Sequence, residues 1–294
     1  MKKIVAILLC AALFLVGCGE GDKKKDDKRL SIVTTEFYQY DFARAIVEDD
    51  ADVTLLVPAG TDIHSFEPTA ADIAKIQQCD IFFYTGGESD SWVEQITDNI
   101  DTEKTKVVRL ADYIYNSDNM TDAHYYTSPE YAVTLLGAMH GEIGYYNRSN
   151  YRLFFARQEA YADKIKEISD KLVKVIEKSD NKTIVVADRF PFYHMTELYR
   201  LDYAAAFDSC DHDTDADART VTRLIETVKE KKIPVVYHIE NSNKQLANTV
   251  AEATGAEIAE LHSYQIITAE EFQEGITYLD LLERNYEALL KNFQ

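Results

Sequence analysis

The sequence is poor in positive charge. Its 31 lysine and arginine residues are outnumbered by 51 aspartate and glutamate residues, which gives a formal net charge of -20. Binding to the phosphates of a nucleic acid needs a basic face, so this composition argues against a nucleic-acid partner. The excess of negative charge is compatible with attraction of small cations, although solubility alone also explains it.

The sequence also lacks the short motifs that mark several common sites. It has no glycine-rich phosphate loop, and Gly86-Gly87 is better explained as a turn. Its seven histidines and four cysteines include no HExxH or CxxC spacing. We therefore predict that the chain is not an enzyme, and we keep an exported metallohydrolase only as a weaker alternative, because no local motif supplies a general base.

No hydrophobic run near the N-terminus is long enough to cross a bilayer. Residues 4–16 are apolar and follow Lys2 and Lys3, but they fall short of the about 20 residues that a spanning helix needs. They end in the sequence LVGC at residues 15–18, which resembles a bacterial lipobox with Cys18 as the acylated residue. We predict a signal peptide at residues 1–17 and a lipidated flexible tether at residues 18–29; the alternative is an ordinary secretory signal with a chance cysteine.

Strand-like and helix-like patterns alternate along the rest of the chain. This alternation predicts parallel βαβ units and an α/β fold with two parallel-sheet lobes, at residues 30–146 and 181–294. The predicted strands are 30–34, 53–57, 81–84 and 107–110 in the first lobe, and 183–187, 203–207, 235–239 and 257–261 in the second. The predicted helices are 37–47, 70–77, 92–99, 131–143, 192–199, 220–231, 244–254 and 278–292.

A long periodic segment separates the two lobes. Residues 149–179 contain no glycine or proline, and their apolar residues recur with helical spacing. The pattern predicts one helix of about 45 Å, at 1.5 Å per residue. We assign residues 147–180 to this linking helix, and two helices with an unmarked break are the alternative.

One histidine lies at a strand-to-helix junction in the first lobe. His64 belongs to the segment PAGTDIHSFEPTAADIAKI at residues 58–76, in which Thr69 and Asp72 are expected to cap the following helix. In open parallel sheets, ligands bind beyond the carboxyl ends of the strands. His64 is therefore a candidate ligand if partners for it exist elsewhere in the chain.

Two further histidines fit the same rule. His124 precedes a helix that Ser128 can cap and Pro129 can open, and His262 follows the last predicted strand. Imidazole nitrogens suit Zn²⁺, whereas carboxylates shift the preference toward Mn²⁺. The three histidines are widely separated in sequence, so their spacing alone is a weak motif.

The other four histidines favour ordinary roles. We expect His140 to pack on a helix face, His194 to pack within the aromatic segment 190–195, and His238 to point into one face of the sheet. His212 lies in the acidic segment 210–217, which is more typical of a solvated loop than of a cation site.

The segment 58–69, PAGTDIHSFEPT, resembles a specific signature of the metal-binding lipoproteins that supply zinc or manganese ABC importers. The block around His124 is similar to the second signature of this family, and the resemblance extends over essentially all of the mature chain. It implies two α/β lobes on a rigid helical backbone, with His64 and His124 as metal ligands and Zn²⁺ (or Mn²⁺) as bound cargo. It also implies a monomer on the extracytoplasmic face of the membrane, a lipid anchor and an ABC permease as partner. Manganese binding and a surface adhesin are the alternatives within the family.

The chain departs from the family pattern in its second lobe. The third family ligand, a histidine or glutamate, falls near residues 186–192, where Arg189 stands beside Asp188. His262 aligns with the fourth ligand, commonly aspartate. Glu240 matches a family glutamate near the site, so it either binds the ion or supports its ligands. A cation next to a metal site is unfavourable, and we expect Arg189 to pair with an acid such as Glu240 or Asp188.

Overall fold

The computed structural model of the protein describes residues 29–87, 90–97, 100–117, 122–207 and 217–294. The predicted signal peptide, the acylation site Cys18 and His212 lie outside these ranges, as does most of the acidic segment 210–217. None of the described helices is both long and apolar enough to cross a membrane.

Two parallel four-stranded sheets carry the fold. The first contains β1 (Leu30–Thr34), β2 (Ala51–Leu55), β3 (Ile81–Tyr84) and β4 (Lys106–Arg109), in the order β2-β1-β3-β4. The second contains β5 (Thr183–Val186), β6 (Asp202–Ala205), β7 (Val235–His238) and β8 (Glu257–Glu260), in the order β6-β5-β7-β8. The predicted α/β class with two parallel-sheet lobes is confirmed, and we call the β1–β4 half the first lobe and the β5–β8 half the second.

The helices follow the predicted alternation, with bounds that differ by a few residues. In the first half they are α1 (Phe37–Val47), α2 (Ala70–Gln78), α3 (Ser91–Thr97), α4 (Pro129–Tyr146) and α5 (Tyr151–Ile176). In the second half they are α6 (Tyr193–Tyr199), α7 (Ala218–Lys231), α8 (Gln245–Thr254), α9 (Ala269–Glu274) and α10 (Tyr278–Phe293). The sequence analysis missed α9. It also placed β2 two residues late, because the ladder with β1 begins where Leu30 pairs with Ala51.

The predicted helix starts are present. The Thr69 hydroxyl accepts the backbone N–H of Asp72 at 3.3 Å, and the Asp72 carboxylate accepts the backbone N–H of Thr69 at 3.1 Å, which completes the capping box of α2. Pro129 opens α4 after Ser128, although the Ser128 side chain makes no capping bond. Both starts lie directly after a candidate histidine loop, so they mark where these loops end.

Two helices tie the lobes together. The periodic segment forms one uninterrupted helix, α5, of 26 residues, which corresponds to about 39 Å. Its Phe154 and Ile165 pack in the core of the first lobe, whereas Ile176 packs in the core of the second. Helix α10 spans the same two cores, with Leu281 in the first and Leu289 in the second. The sequence pattern predicted one connecting helix, and the structure contains this second one beside it.

A buried carboxylate joins these helices to α1. Asp41 on α1 accepts the backbone N–H of Tyr278 at 2.9 Å and the hydroxyl of Tyr161, so it links α1, α5 and α10. Burial raises the pKa of Asp41 to about 6, against the lowering effect of these hydrogen bonds. The contact stabilises the position of the first lobe relative to both connecting helices.

Candidate metal centre

The His64 loop is held by its own backbone and by the second lobe. Gly60 adopts φ 84°, and its N–H donates to the carbonyl of Ile267 at 2.7 Å. A 3-10 turn spans Ile63–Ser65, and Asp62 caps it by accepting the backbone N–H of His64 at 3.0 Å. These bonds fix the backbone of His64, and its ring lies next to the His124 loop.

The His124 side chain is held more tightly. One carboxylate oxygen of Asp122 accepts the backbone N–H of His124 at 2.7 Å and its ring Nδ1–H at 2.9 Å. Burial favours a raised pKa for Asp122, but the charge of His124 and these hydrogen bonds outweigh it, so the pKa is lowered. A carboxylate that receives Nδ1–H fixes the tautomer in which Nε2 carries the lone pair, as in metal sites where an acid orients a histidine.

The two imidazole rings of the first lobe lie side by side. The ring centres of His64 and His124 are 6.1 Å apart, and the rings are tilted by 52°. Two imidazoles that share one zinc ion, with Zn–N bonds of about 2.0–2.1 Å, place their ring centres about 5 Å apart. A movement of about 1 Å therefore brings this pair to the separation needed for joint ligation.

The second lobe supports the His124 loop through a histidine that sequence reasoning assigned only to packing. His194 Nε2 donates to the carbonyl of Asp122 at 2.8 Å, and the His194 ring lies 5.0 Å from the ring of Tyr125. Burial lowers the pKa of His194, which favours the neutral ring that makes this bond. The expected packing within residues 190–195 is present, because the His194 ring lies 5.3 Å from the ring of Tyr193. The contacts with the first lobe are additional, and the spacing of this segment gave no signal for them.

Sequence reasoning also missed the two aspartates that position the histidines. Asp62 and Asp122 each stand two residues before a candidate ligand, and each accepts the backbone N–H of that histidine. The repeated Asp-x-His spacing was a readable signal, because an aspartate side chain commonly bonds to the backbone N–H two residues ahead.

Arg189 crosses from the second lobe to the His64 loop. Its guanidinium lies 3.2 Å from the carboxylate of Asp62, and both side chains are partly buried. The expectation that an acid neutralises Arg189 is met by an acid from the opposite lobe. The two acids named beforehand have other contacts: Asp188 accepts the Ser242 hydroxyl and the Arg189 backbone N–H, and Glu240 bonds to Ser263.

Glu240 supports the loop that carries His262. Its carboxylate accepts the backbone N–H of Ser263 at 2.8 Å and also the Ser263 hydroxyl. Both carboxylate oxygens are therefore engaged by the residue that follows His262. In this arrangement Glu240 acts on the position of the loop, and it would have to leave Ser263 to become a ligand.

His262 is buried and fixed within its own lobe. Asn285 bonds to its backbone N–H and to its carbonyl, each at 2.8 Å. The ring Nδ1 accepts the backbone N–H of Tyr264 at 2.8 Å, which places the ring proton on Nε2 in the neutral form. A metal bound at Nε2 needs the opposite tautomer, so ligation by His262 requires its ring to leave Tyr264.

The described part of the chain contains no cluster of three or more histidine, cysteine, aspartate or glutamate side chains close enough to hold an ion. The structure brings His64 and His124 together, whereas His262 and Glu240 remain in hydrogen bonds of the second lobe. A narrow cleft borders the His64 loop, with walls from both lobes at residues 35–37, 57–61 and 265–267. The candidate centre is therefore a pair of imidazoles next to an interlobe cleft.

A buried acidic pair lies beneath His124. Glu36 and Asp90 are bridged by Thr85, whose hydroxyl donates to Glu36 at 2.6 Å and whose backbone N–H donates to Asp90 at 2.8 Å. Burial, with the charge of Asp90, raises the pKa of Glu36 to about 7, although the charge of His124 lowers it. Burial likewise raises the pKa of Asp90 to about 6. The pair holds a proton near neutral pH, and it responds to charge at His124.

The remaining described histidines lie away from this pair. His140 packs between Tyr151 and Phe155, at ring-centre distances of 4.8 and 5.6 Å, as expected for a packed helix residue. His238 is buried in β7, with Nδ1 2.8 Å from the carbonyl of Ile239.

Comparison with known proteins identifies the family of the chain. The sequence model of ZnuA, the periplasmic component A of a zinc-uptake complex, matches residues 32–292. The zinc-binding lipoprotein AdcA of Streptococcus pneumoniae is 29% identical over 308 aligned residues, which cover 98% of this chain and 60% of that protein. The high-affinity zinc uptake system protein ZnuA of Bacillus subtilis is 26% identical over 312 residues, which cover 98% of this chain and 97% of that protein.

The solved structures agree with the sequence comparison. The Zn(II)-bound ZnuA-like domain of Streptococcus pneumoniae AdcA superposes with a TM-score of 0.77 at 27% identity, over 90% of this chain and 99% of that one. The chain spans about 60% of the length of AdcA, so the match concerns this part of that protein. The chain belongs to the ZnuA family of zinc-uptake components.

Proposed function

We propose that the chain captures Zn²⁺ outside the cytoplasm and presents it to an ABC importer as a solute-binding protein. The observation that carries this proposal is the pair His64 and His124, with ring centres 6.1 Å apart and one ring oriented by Asp122. The family and the zinc-binding names of its relatives support the same cargo.

The donor set favours zinc over manganese. Imidazole nitrogens are good zinc ligands, whereas Mn²⁺ prefers carboxylate oxygens. The carboxylates of Glu240 and Asp188 at the facing lobe are already bonded to serine hydroxyls. The imidazoles of His64 and His124 supply nitrogen ligands, so a site built on them binds zinc in preference to manganese.

Capture on this geometry proceeds in two stages. The ion first meets His64 and His124, and the second lobe then supplies His262 or Glu240 after one of them leaves its present hydrogen bonds. Helices α5 and α10 span both cores, so the change is confined to side chains and to the loop around residue 262. Ligation needs neutral imidazoles, and binding weakens as the pH falls below about 6.

The test is zinc affinity by competition with a chelator for wild type, His64→Gln, His124→Gln and His140→Gln. We expect each site variant to lose at least about 100-fold in affinity, or about 2.7 kcal/mol. His140→Gln is the matched control, because it changes a buried histidine outside the pair. Unchanged affinity in both site variants would refute the assignment, and zinc-dependent hydrolase turnover lost in His64→Gln would favour the metallohydrolase.

We also propose that Cys18 anchors the chain to the membrane. The LVGC sequence at residues 15–18 and the lipoprotein name of AdcA support this location. Mass analysis of the protein from cell membranes, with Cys18→Ser as comparison, tests it: acyl mass on the wild type and release of the variant into the soluble fraction are expected. A wild-type chain without acyl mass would contradict the anchor and leave zinc binding unaffected.

A further inference from the structure

An exposed aromatic surface lies at the turn between α4 and α5, away from the candidate metal centre. Four of its rings are solvent-exposed, with 63% of Tyr145, 44% of Tyr146, 46% of Tyr151 and 48% of Phe155 accessible. Contiguous exposed rings of this kind on a soluble protein commonly mark an interaction site. We call these residues, with Arg148 and Arg152, the aromatic tip.

The charge of the aromatic tip is opposite to that of the chain. Residues 143–158 contain three arginines and no acidic residue, in a chain with a net charge of -20. Arg157 lies in ion pairs with Asp50 at 2.7 Å and Glu48 at 2.8 Å. Arg148 and Arg152 are exposed, and the guanidinium of Arg148 lies 5.0 Å from the ring centre of Tyr145. The tip is thus a small positive and aromatic surface on an acidic protein.

Part of the aromatic tip lines a shallow groove. It has a volume of about 820 Å³ and is lined by Gly141, Gly144, Tyr145, Arg148, Tyr151 and Arg152. Gly144 allows the two helices to approach here, because a Cβ at this position would lie 2.6 Å from the Tyr151 ring. Two guanidinium groups beside two tyrosines suit a phosphate group with an apolar body next to it.

The aromatic tip lies at the end of the first lobe where the chain enters the fold. Arg29, just before β1, donates to the carbonyl of Ala51 at 3.1 Å, and Arg157 donates to the carbonyl of Val47 at 3.2 Å. Both arginines therefore contact the turn between α1 and β2. Tyr151 lies six residues before Arg157 on α5, about 9 Å further along the axis. His64 follows the opposite end of β2.

We propose that the aromatic tip binds the surface of the membrane, with the phosphate of an anionic phospholipid in the groove. Tyrosines are favoured at the membrane–water interface, and arginines near an anionic surface are attracted to it. The acidic remainder of the protein is repelled, so the contact selects one orientation. In that orientation the His64 loop faces away from the bilayer, so the contact belongs to the anchored chain before it meets the importer.

The contact gains strength from the proposed anchor, on which this inference rests. Ten residues, 19–28, separate Cys18 from Arg29, and an extended chain of that length spans at most about 35 Å. A tether this short gives a millimolar effective concentration, at which a weak surface contact is populated.

Tryptophan quenching by brominated lipid tests the orientation. The chain from Cys18 onward is coupled through its N-terminal cysteine to a diacyl lipid and mixed with phosphatidylcholine–phosphatidylglycerol vesicles that carry bromine on their acyl chains. Trp92 is the one tryptophan of the chain, and it packs on Phe66 near the His64 loop. We expect emission to be lost in the Trp92→Phe, Tyr146→Trp variant and retained in the wild type.

Charge reversal supplies the control. Arg148→Glu with Arg152→Glu, added to the variant with the probe at position 146, is expected to restore emission. Lys174→Glu with Lys178→Glu, exposed positions near the far end of α5, makes the same change in net charge and is expected to leave quenching intact. Retained emission at position 146, equal quenching without phosphatidylglycerol, or equal results for the two charge-reversed pairs would overturn the proposal. The coupled lipid replaces cellular acylation, so failure here is distinct from failure of the Cys18 anchor.

Discussion

The two lobes share one sheet topology but hold their candidate ligands in opposite ways. In the first lobe the ring centres of His64 and His124 are 6.1 Å apart, and the Asp122 carboxylate accepts Nδ1–H of His124, which leaves the lone pair on Nε2. In the second lobe His262 accepts the backbone N–H of Tyr264, and Glu240 is bonded to Ser263. Under the proposed assignment, one half of the site is arranged for an ion before it arrives, while the other half must exchange internal hydrogen bonds for metal bonds.

The contacts that prepare the first lobe come largely from the second. Arg189 bonds to Asp62, Ile267 accepts from the His64 loop, and His194 supports Asp122. A loop held from across the cleft loses little freedom on binding, so its ligands contribute more of their interaction energy to affinity. The first lobe, whose histidines are already held in position, is expected to set where the ion binds. The second lobe, which must exchange hydrogen bonds for metal bonds, is expected to set how tightly the ion is retained.

The largest effect expected in the second lobe follows the loss of His262. His262→Ala is expected to lower zinc affinity about 100-fold, or about 2.7 kcal/mol, because the ion loses the imidazole that leaves Tyr264 to complete its shell. Chelator competition measures the affinity. His238→Ala, a buried histidine of the same lobe, is the control and is expected to have little effect. An affinity equal to wild type in His262→Ala would show that the first-lobe pair binds without it.

The two Asp-x-His segments of the first lobe allow a test of whether the aspartates position the histidines before the ion binds. Asp122→Asn is expected to lower affinity 10- to 100-fold, the usual range for the loss of an acid that orients a metal-binding histidine. Asp62→Asn is the matched comparison, because Asp62 bonds to the backbone of His64 and to Arg189. Its effect on affinity is expected to be smaller. Equal losses would mean that loop position, and not the ring tautomer, governs binding.

These contacts explain what the sequence could and could not reveal. The strands, the long helix α5 and the cap at Thr69 depend on local periodicity and spacing, so they were predictable. The partners of Arg189 and His194 lie in the opposite lobe, at sequence separations of 127 and 72 residues. No local pattern encodes such pairs, although the repeated Asp-x-His spacing could have identified Asp62 and Asp122. The ring orientation of His262 depends on the Tyr264 backbone and was equally out of reach.

Arg189 offers a way to make the second lobe resemble the first. The family resemblance implies a histidine or glutamate near this position, and the arginine side chain reaches Asp62 beside His64. Arg189→His removes a positive charge and adds an imidazole, so zinc affinity is expected to rise about 10-fold, or about 1.4 kcal/mol. Arg189→Gln removes the charge alone and serves as the control. An equal gain in both would assign the effect to charge, and a loss in both would show that the Asp62 pair is needed for the His64 loop.

The smallest expected effect concerns stability and follows from the acids of the first lobe. Among the described carboxyls, the resolved upward pKa shifts belong to Glu36, Asp41 and Asp90, and burial is the largest cause of each. The folded chain therefore binds more protons than the unfolded chain between about pH 4.5 and pH 7. The free energy of unfolding is expected to fall as the pH rises through this window, by roughly 1 kcal/mol or more.

Urea unfolding of the metal-free protein from pH 5 to pH 8 measures this slope. Glu36→Gln is expected to flatten it, because the amide removes one titrating group whose pKa burial raises. Glu130→Gln, an exposed change on α4, is the control and should retain the wild-type slope. If Glu36→Gln and wild type have the same slope, Glu36 is ionised throughout the range. The acidic pair under His124 would then be a fixed negative charge that attracts the ion, and the first lobe would be prepared electrostatically as well as sterically.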